Sequence, residues 1–268
     1  MADRSNPHAK PMPIGYVRRL SGRRRSSGAN RQLGLALAFV AGAVNAGGFL
    51  AVQQYTSHMT GIVSALADHI ALGTYGLALT GVGALLSFIS GAATSAVLVN
   101  YARRRQWHSM YALPMLVEAA LLLCFGLLGG WLSTIDGPFI PMTVMLLCFI
   151  MGLQNAMITK LSHAEIRTTH ITGIVTDIGI ELGKLAYWNA ARSPGEPRVV
   201  ADRLRLGVLT GLASFFFLGG LAGALGFKHV GYLSTVPLAL LLIALASVPA
   251  VDDLRTWRRR WAAKPDTD

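Results

Sequence analysis

Two short motifs bring together residue types able to bind or move a polar solute. Thr56-Ser57-His58-Met59-Thr60-Gly61-Ile62-Val63 recurs as Thr168-Thr169-His170-Ile171-Thr172-Gly173-Ile174-Val175. An imidazole can donate, accept or act as a base, and the neighbouring hydroxyls both donate and accept. Thr56, Ser57, Thr168 and Thr169 are residue types that cap helix starts. A helix start has N–H groups without intrahelical partners and carries the positive end of the helix dipole. In transporters such ends face anions or polar solute groups. Gly61 and Gly173 would let a ligand or another backbone come close. The functional reading makes His58, Thr60, His170 and Thr172 a substrate-binding set. A plainer reading has the same side chains capping helices and tying a bundle together, as polar groups in lipid must. The repetition of the motif makes the two readings about even.

Other polar residues inside apolar stretches join the candidates. Asn45 and Asn155 either line the same path or satisfy backbone groups freed at a helix break. Glu118 is the single charge in its apolar run, and an acid at mid-span costs about 2.5–3.5 kcal/mol on insertion scales. It must therefore be protonated, paired or wet, and proton or ion coupling is its functional reading. Beyond His170, helical spacing puts Gly173, Asp177, Glu181 and Lys184 on one stripe. Asp177 and Glu181 are like charges at i,i+4, which destabilise a helix without compensation; Lys184 can neutralise one of them. The stripe faces either a water-filled path, with Asp177 as a second coupling candidate, or the cytoplasm.

Enzyme chemistry lacks its parts. There is no Gly-x-Ser-x-Gly, His-Glu-x-x-His, Cys-x-x-Cys or Gly-x-x-x-x-Gly-Lys-Ser/Thr. No carboxylate or thiolate accompanies the two histidines at a ligand spacing, so no metal, cofactor or catalytic set is expected. Cys124 and Cys148 sit in apolar runs and read as packed thiols.

The elements that must position these residues are apolar helices. Of 268 residues, 53% are hydrophobic and 14% charged, against about 25% charged in ordinary soluble domains; mean hydropathy is +0.47. A membrane-crossing helix needs about 20 apolar residues. Stretches of that kind run 33–52, 75–101, 110–132, 139–158, 206–227 and 231–250. Two shorter, more polar segments, 57–72 and 168–188, each follow a long one. The formal net charge of +11 does not point to nucleic acid, because the basic residues flank apolar runs. Eight of the 24 Lys and Arg fall in the first 31 residues. Arg103-Arg104-Arg105, the stretch Arg192–Arg205 and Arg258-Arg259-Arg260 hold most of the others. Cytoplasmic placement of these clusters gives six crossings with both termini inside, provided the two short segments are half-helices. Gly47-Gly48 marks a candidate break before the first of them; a re-entrant segment is the other option.

The chain also repeats itself. Besides the histidine motif, Gly42-Ala43-Val44-Asn45-Ala46 matches Gly152-Leu153-Gln154-Asn155-Ala156, and Ser87, Gly91 and Ser95 answer to Gly219 and Gly223. Small residues four apart suit close helix packing. Three crossings per half is an odd number, so the halves would be inverted in the membrane. The expected organisation is a basic tail at 1–32, a first membrane repeat at 33–133, a second at 138–250, and a C-terminal tail at 251–268.

These motifs, Ser-His-Met-Thr-Gly at 57–61, Gly-Leu-Gln-Asn-Ala at 152–156 and Thr-Thr-His-Ile-Thr-Gly at 168–173, resemble those of the YoaK-type transmembrane proteins. The resemblance covers roughly 33–250 and implies a bacterial inner-membrane location, with no biochemical activity attached. Ile62 departs from an Asn frequent in that family, and Asn45 from an Asp. The expectation is an all-α polytopic membrane protein of six spans in two inverted repeats. It would move a small polar or anionic solute between the halves. An intramembrane enzyme acting on lipid or isoprenoid, and a structural or assembly protein, are the alternatives. Membrane lipid is the expected partner, with no nucleic acid; homo-oligomerisation is left open.

Overall fold

The structure is a computed structural model and describes residues 27–107, 110–132, 139–161, 171–187 and 198–247. It is helical throughout, with no strand among the described residues. The helices are α1 Ser27–Val52, α2 Met59–Ala71, α3 Tyr75–Arg104, α4 Ala112–Leu132, α5 Phe139–Leu161, α6 Ile171–Ala186 and α7 Arg203–Val230. A 3-10 turn, Gly231–Ser234, leads into α8, residues 235–247. Four stretches are long and apolar enough to cross a membrane: Arg31–Val52, Tyr75–Arg104, Pro141–Lys160 and Arg203–Ser247. The last is not straight. Gly231 takes φ 71°, a conformation glycine adopts without penalty. A Cβ on Gly226 would lie 3.1 Å from that of Ser234, so the chain doubles back there.

The helix breaks are local and chemical. The first long helix runs unbroken through Gly47-Gly48, contrary to the break expected there. It ends instead at Gln53, which has φ 55° and donates its N–H to the Phe49 carbonyl at 2.7 Å. Gly47 and Gly48 serve packing: a Cβ on Gly47 would meet the Gly223 carbonyl at 3.3 Å, and one on Gly48 the Leu147 side chain at 3.0 Å. Between α2 and α3 the three residues 72–74 suffice for the turn, with Gly73 at φ 71°. The two helices run antiparallel, Gly81 resting on Leu66.

Packing of the long helices follows one recurring pattern. Of the five Phe-x-x-Gly sequences in the chain, four pack helices together: Phe39 to Gly42, Phe88 to Gly91, Phe149 to Gly152 and Phe216 to Gly219. They interlock in two reciprocal pairs. Gly42 lies under the Phe216 carbonyl and Gly219 under the Phe39 carbonyl, joining α1 to α7. Gly91 lies under the Phe149 carbonyl and Gly152 under the Phe88 carbonyl, joining α3 to α5. At each of the four glycines a Cβ would collide with the facing backbone, so only glycine permits the approach. Both pairs are parallel: Leu35 meets Gly211 below the α1–α7 crossing. In the other pair Lys160 Nζ reaches the Ala96 carbonyl at 3.4 Å. Between the pairs, α1 and α5 run antiparallel, with Gln154 Nε2 donating to the Leu37 carbonyl at 3.3 Å and Gly48 beside Leu147.

The main core fills this arrangement with residues such as Leu37, Val44, Met115, Leu122, Leu147 and Met151, all buried. By contrast, Leu77, Leu79, Leu86 and Ile89 on α3, and Leu204, Phe217 and Leu221 on α7, are exposed. Leucine and phenylalanine on the outside of two long helices are what lipid contact requires.

Candidate functional site

The first histidine motif folds back along α1. After Val52 the chain turns, and Asn45 Oδ1 accepts from the Ser57 N–H at 3.3 Å and from Ser57 Oγ at 2.8 Å. Asn45 lies seven residues before the end of α1, so Ser57 has come back about 10 Å along that helix. Helix α2 then starts at Met59, alongside the last third of α1, and runs in the same direction as α1. Thr56 is buried and its Oγ1 has no hydrogen-bond partner.

Beside α2 lies a cleft of about 450 Å³. One helical face supplies its floor: His58, Gly61, Ile62, Ala65, Leu66 and His69 recur at spacings of three and four. Leu77, Thr80 and Gly81 of α3 face them, and the end of α1 with the turn 53–55 closes a third side. His58 is exposed and curls over the start of the helix. A Cβ on Gly61 would lie 2.5 Å from its Nδ1, so the missing side chain there makes room for the ring. His69 Nδ1 lies 3.0 Å from Thr74 Oγ1, which itself donates to the His69 carbonyl at 3.1 Å. A hydroxyl has one proton to give, so the ring Nδ1–H is the donor in the first contact.

The second motif is fastened differently. His170 falls outside the described residues; Thr172, one residue into α6, is exposed and its carbonyl accepts from Thr176 Oγ1 at 2.8 Å. Asn155 is buried and donates to the Met151 carbonyl at 2.8 Å. Further along α6, Asp177 Oδ2 pairs with Arg205 Nη2 at 3.0 Å, and Glu181 Oε1 with Lys184 Nζ at 2.9 Å. Glu181 Oε2 also accepts the Asp202 N–H at 2.8 Å, while Asp202 caps α7 by accepting from the Arg205 N–H at 2.9 Å. The like-charge pair on α6 is thus relieved twice, once by the expected Lys184 and once by Arg205, whose role no local spacing announced. Lys184, the Asp202 N–H and nearby Arg205 hold the Glu181 carboxyl below its usual range.

The cleft draws its walls from α1, α2 and α3 alone. Thr60, though on α2, is exposed outside that lining, and Thr172 is not part of it. Asp177 is held at the α6–α7 contact. Glu118 is fully buried on α4, on the face that carries Met115 and Leu122, and both carboxylate oxygens lack hydrogen-bond partners. Gln154 Oε1 and Ser95 Oγ are likewise buried without partners. Among the described residues no three His, Cys, Asp or Glu side chains gather as a metal site. Sequence reasoning missed the cleft itself and the residues of its apolar walls; the i, i+3, i+4 spacing from His58 to His69 was the available signal.

Long apolar helices, lipid-type outer faces and buried polar residues define an all-helical integral membrane protein. Residues 33–248 match the family described as "Protein of unknown function (DUF1275)", and the chain belongs to that family. It is 27% identical over 145 residues to the UPF0700 transmembrane protein YoaK of Bacillus subtilis (strain 168). That match covers 53% of this chain and 62% of the relative, so the aligned region spans less than two thirds of YoaK. The resemblance read from the histidine and Gly-Leu-Gln-Asn-Ala motifs is thereby met. No solved structure matches.

Proposed function

We propose that the protein moves a small polar or anionic solute across the bacterial inner membrane through a path entered along the re-entrant half-helix. The observation that carries this reading is the fold-back held by Asn45 and Ser57, which starts a helix with His58 alongside the last third of a spanning helix, beside an open cleft. Its frame is six crossings, α1, α3, α4, α5, α7 and α8, arranged as two inverted repeats with both termini cytoplasmic. The reciprocal Phe-x-x-Gly pairs support that frame, because each half lends its first helix to the third-element partner of the other in the same register. Antiparallel α1 and α5 agree with inversion. In this reading His58 and Thr60, with His170 and Thr172, act on the solute from the two halves. Asn45 and Asn155 brace the two breaks, and Glu118 and Asp177 are the coupling groups. Transport is in part an analogy with other inverted-repeat proteins.

The plainer alternative, a purely structural role for the motifs, draws support from the same Asn45–Ser57 tie. The two separate in a swelling assay on proteoliposomes exposed to gradients of glycerol, urea, glycine and butyrate. The proposal expects protein-dependent swelling with at least one solute, lost in His58→Ala that still reconstitutes. Equal swelling with and without protein for all four solutes would leave the structural reading standing.

A further inference from the structure

We infer that the cleft beside α2 binds a monocarboxylate, with the carboxylate at the His58 end and the alkyl portion along Ile62 and Leu66. The inference rests on the proposed solute path and names the class of solute that this path takes. Charge decides the sign of the ligand. The lining holds no Asp, Glu, Lys or Arg; its ionisable groups are the imidazoles of His58 and His69 and the phenol of Tyr55. A lining without a carboxylate offers a cation nothing to balance it. An imidazole N–H donates to a carboxylate in either ring state, and the nearby start of α2 adds its positive dipole end.

The walls decide the rest of the molecule. Between the two imidazoles, eleven residues apart and so about 16 Å along the helix, the cleft surface is set by side chains such as Ile62, Ala65, Leu66 and Leu77. Apolar surface of this kind matches a hydrocarbon chain better than phosphate or sulfate, whose stronger hydration the few neutral donors of the lining, on Gln53, Gln54, Tyr55 and Thr80, replace only in part. A volume of about 450 Å³ lies within the usual range for small-molecule sites, about 300–1,000 Å³. Gly61 is the specificity device, since only an absent Cβ leaves the His58 ring in place over the carboxylate end.

Thermal unfolding of the full chain in detergent tests this with four probes of matched shape: butyrate, butyramide, butylammonium and phosphate, with decanoate added to separate a soluble acid from a membrane fatty acid. Butyrate or decanoate should raise the midpoint, and the other three should not. The Gly61→Ala variant should fold at least as stably as the wild type, because alanine favours a helix over glycine. It should nevertheless need more than about tenfold more carboxylate for the same shift. Should it fail to fold, His58→Ala serves as the second variant, with a weaker shift expected. Stabilisation by butylammonium or butyramide equal to that by butyrate would overturn the assignment, as would a full carboxylate shift in Gly61→Ala. Swelling with glycerol or urea and no carboxylate shift would sink this inference and leave the solute path intact; a carboxylate shift with no swelling by any solute would do the reverse.

Discussion

The two half-helix hairpins, α2–α3 and α6–α7, carry the same histidine motif and are held by opposite means. At α2–α3 the fastening is neutral: a three-residue turn and one imidazole–hydroxyl contact between His69 and Thr74. An open cleft remains along the inner face of α2. At α6–α7 the ion pair Asp177–Arg205 and the Asp202 N–H donated to Glu181 lock the short helix onto the next long one. The long-helix pairs, in contrast, match residue for residue through Phe-x-x-Gly. The frame is therefore symmetric where backbones touch and asymmetric where polar side chains act. Only one hairpin can change its spacing without breaking charge pairs, and it is the one that holds the cleft.

The largest effect should come from the symmetric part. Gly152→Leu places a bulky side chain against the Phe88 backbone and should abolish the folded state, seen as loss of a monodisperse peak after detergent extraction. Gly152→Ala and its counterpart Gly42→Ala should each cost about 1–3 kcal/mol and, if the pairs are equivalent, by similar amounts in a denaturant titration. A large cost at one and none at the other would break the symmetry of the frame.

Much of this architecture was legible and some was not. Apolar length placed all the long helices to within a few residues, and their polarity set 57–72 and 168–188 apart as short ones, found as Met59–Ala71 and Ile171–Ala186. The internal repeat pointed to Asn45, and the structure gives that residue a partner in Ser57. The interlock was hidden, although its four Phe-x-x-Gly sequences stand in plain view, because each glycine's partner is a carbonyl at least 58 residues away in the sequence. Arg205 escaped for the same reason. Gly47-Gly48 misled because a glycine pair weakens a free helix yet also allows tight packing, and here packing against Gly223 and Leu147 wins.

Next in size is Glu118. Replacing an unpartnered buried acid with Glu118→Leu should stabilise the protein, by up to about 2.5–3.5 kcal/mol on insertion scales, while a loss of solute flux in the same variant would mark it as a coupling group. A drop in stability would mean the carboxyl is satisfied in the membrane. In the locked hairpin Glu181→Gln should cost about 1–3 kcal/mol, since the side chain is 2% exposed and serves two donors. Its carboxyl titrates lower folded than unfolded, so its contribution is present above the unfolded glutamate range. It is lost as pH falls below about 4, and proteolysis near α6 should rise there in the wild type but not in Glu181→Gln. The smallest effect belongs to the half-exposed pair Asp177–Arg205, about 0.2–1 kcal/mol, read as a slight destabilisation in Arg205→Gln that salt also produces in the wild type.

Water access along α2 tests the account most directly. In a Cys124→Ala, Cys148→Ala background, single cysteines at His58 and His69 would be exposed to a charged, membrane-impermeant thiol reagent added from the external side of intact cells. Both should react, His69→Cys faster than His58→Cys, while Gln106→Cys, in the loop that the proposed topology puts in the cytoplasm, stays unmodified until the membrane is opened. If His58→Cys reacts only from the cytoplasmic side, or not at all while His69→Cys does, no water path reaches His58 and the transport reading fails.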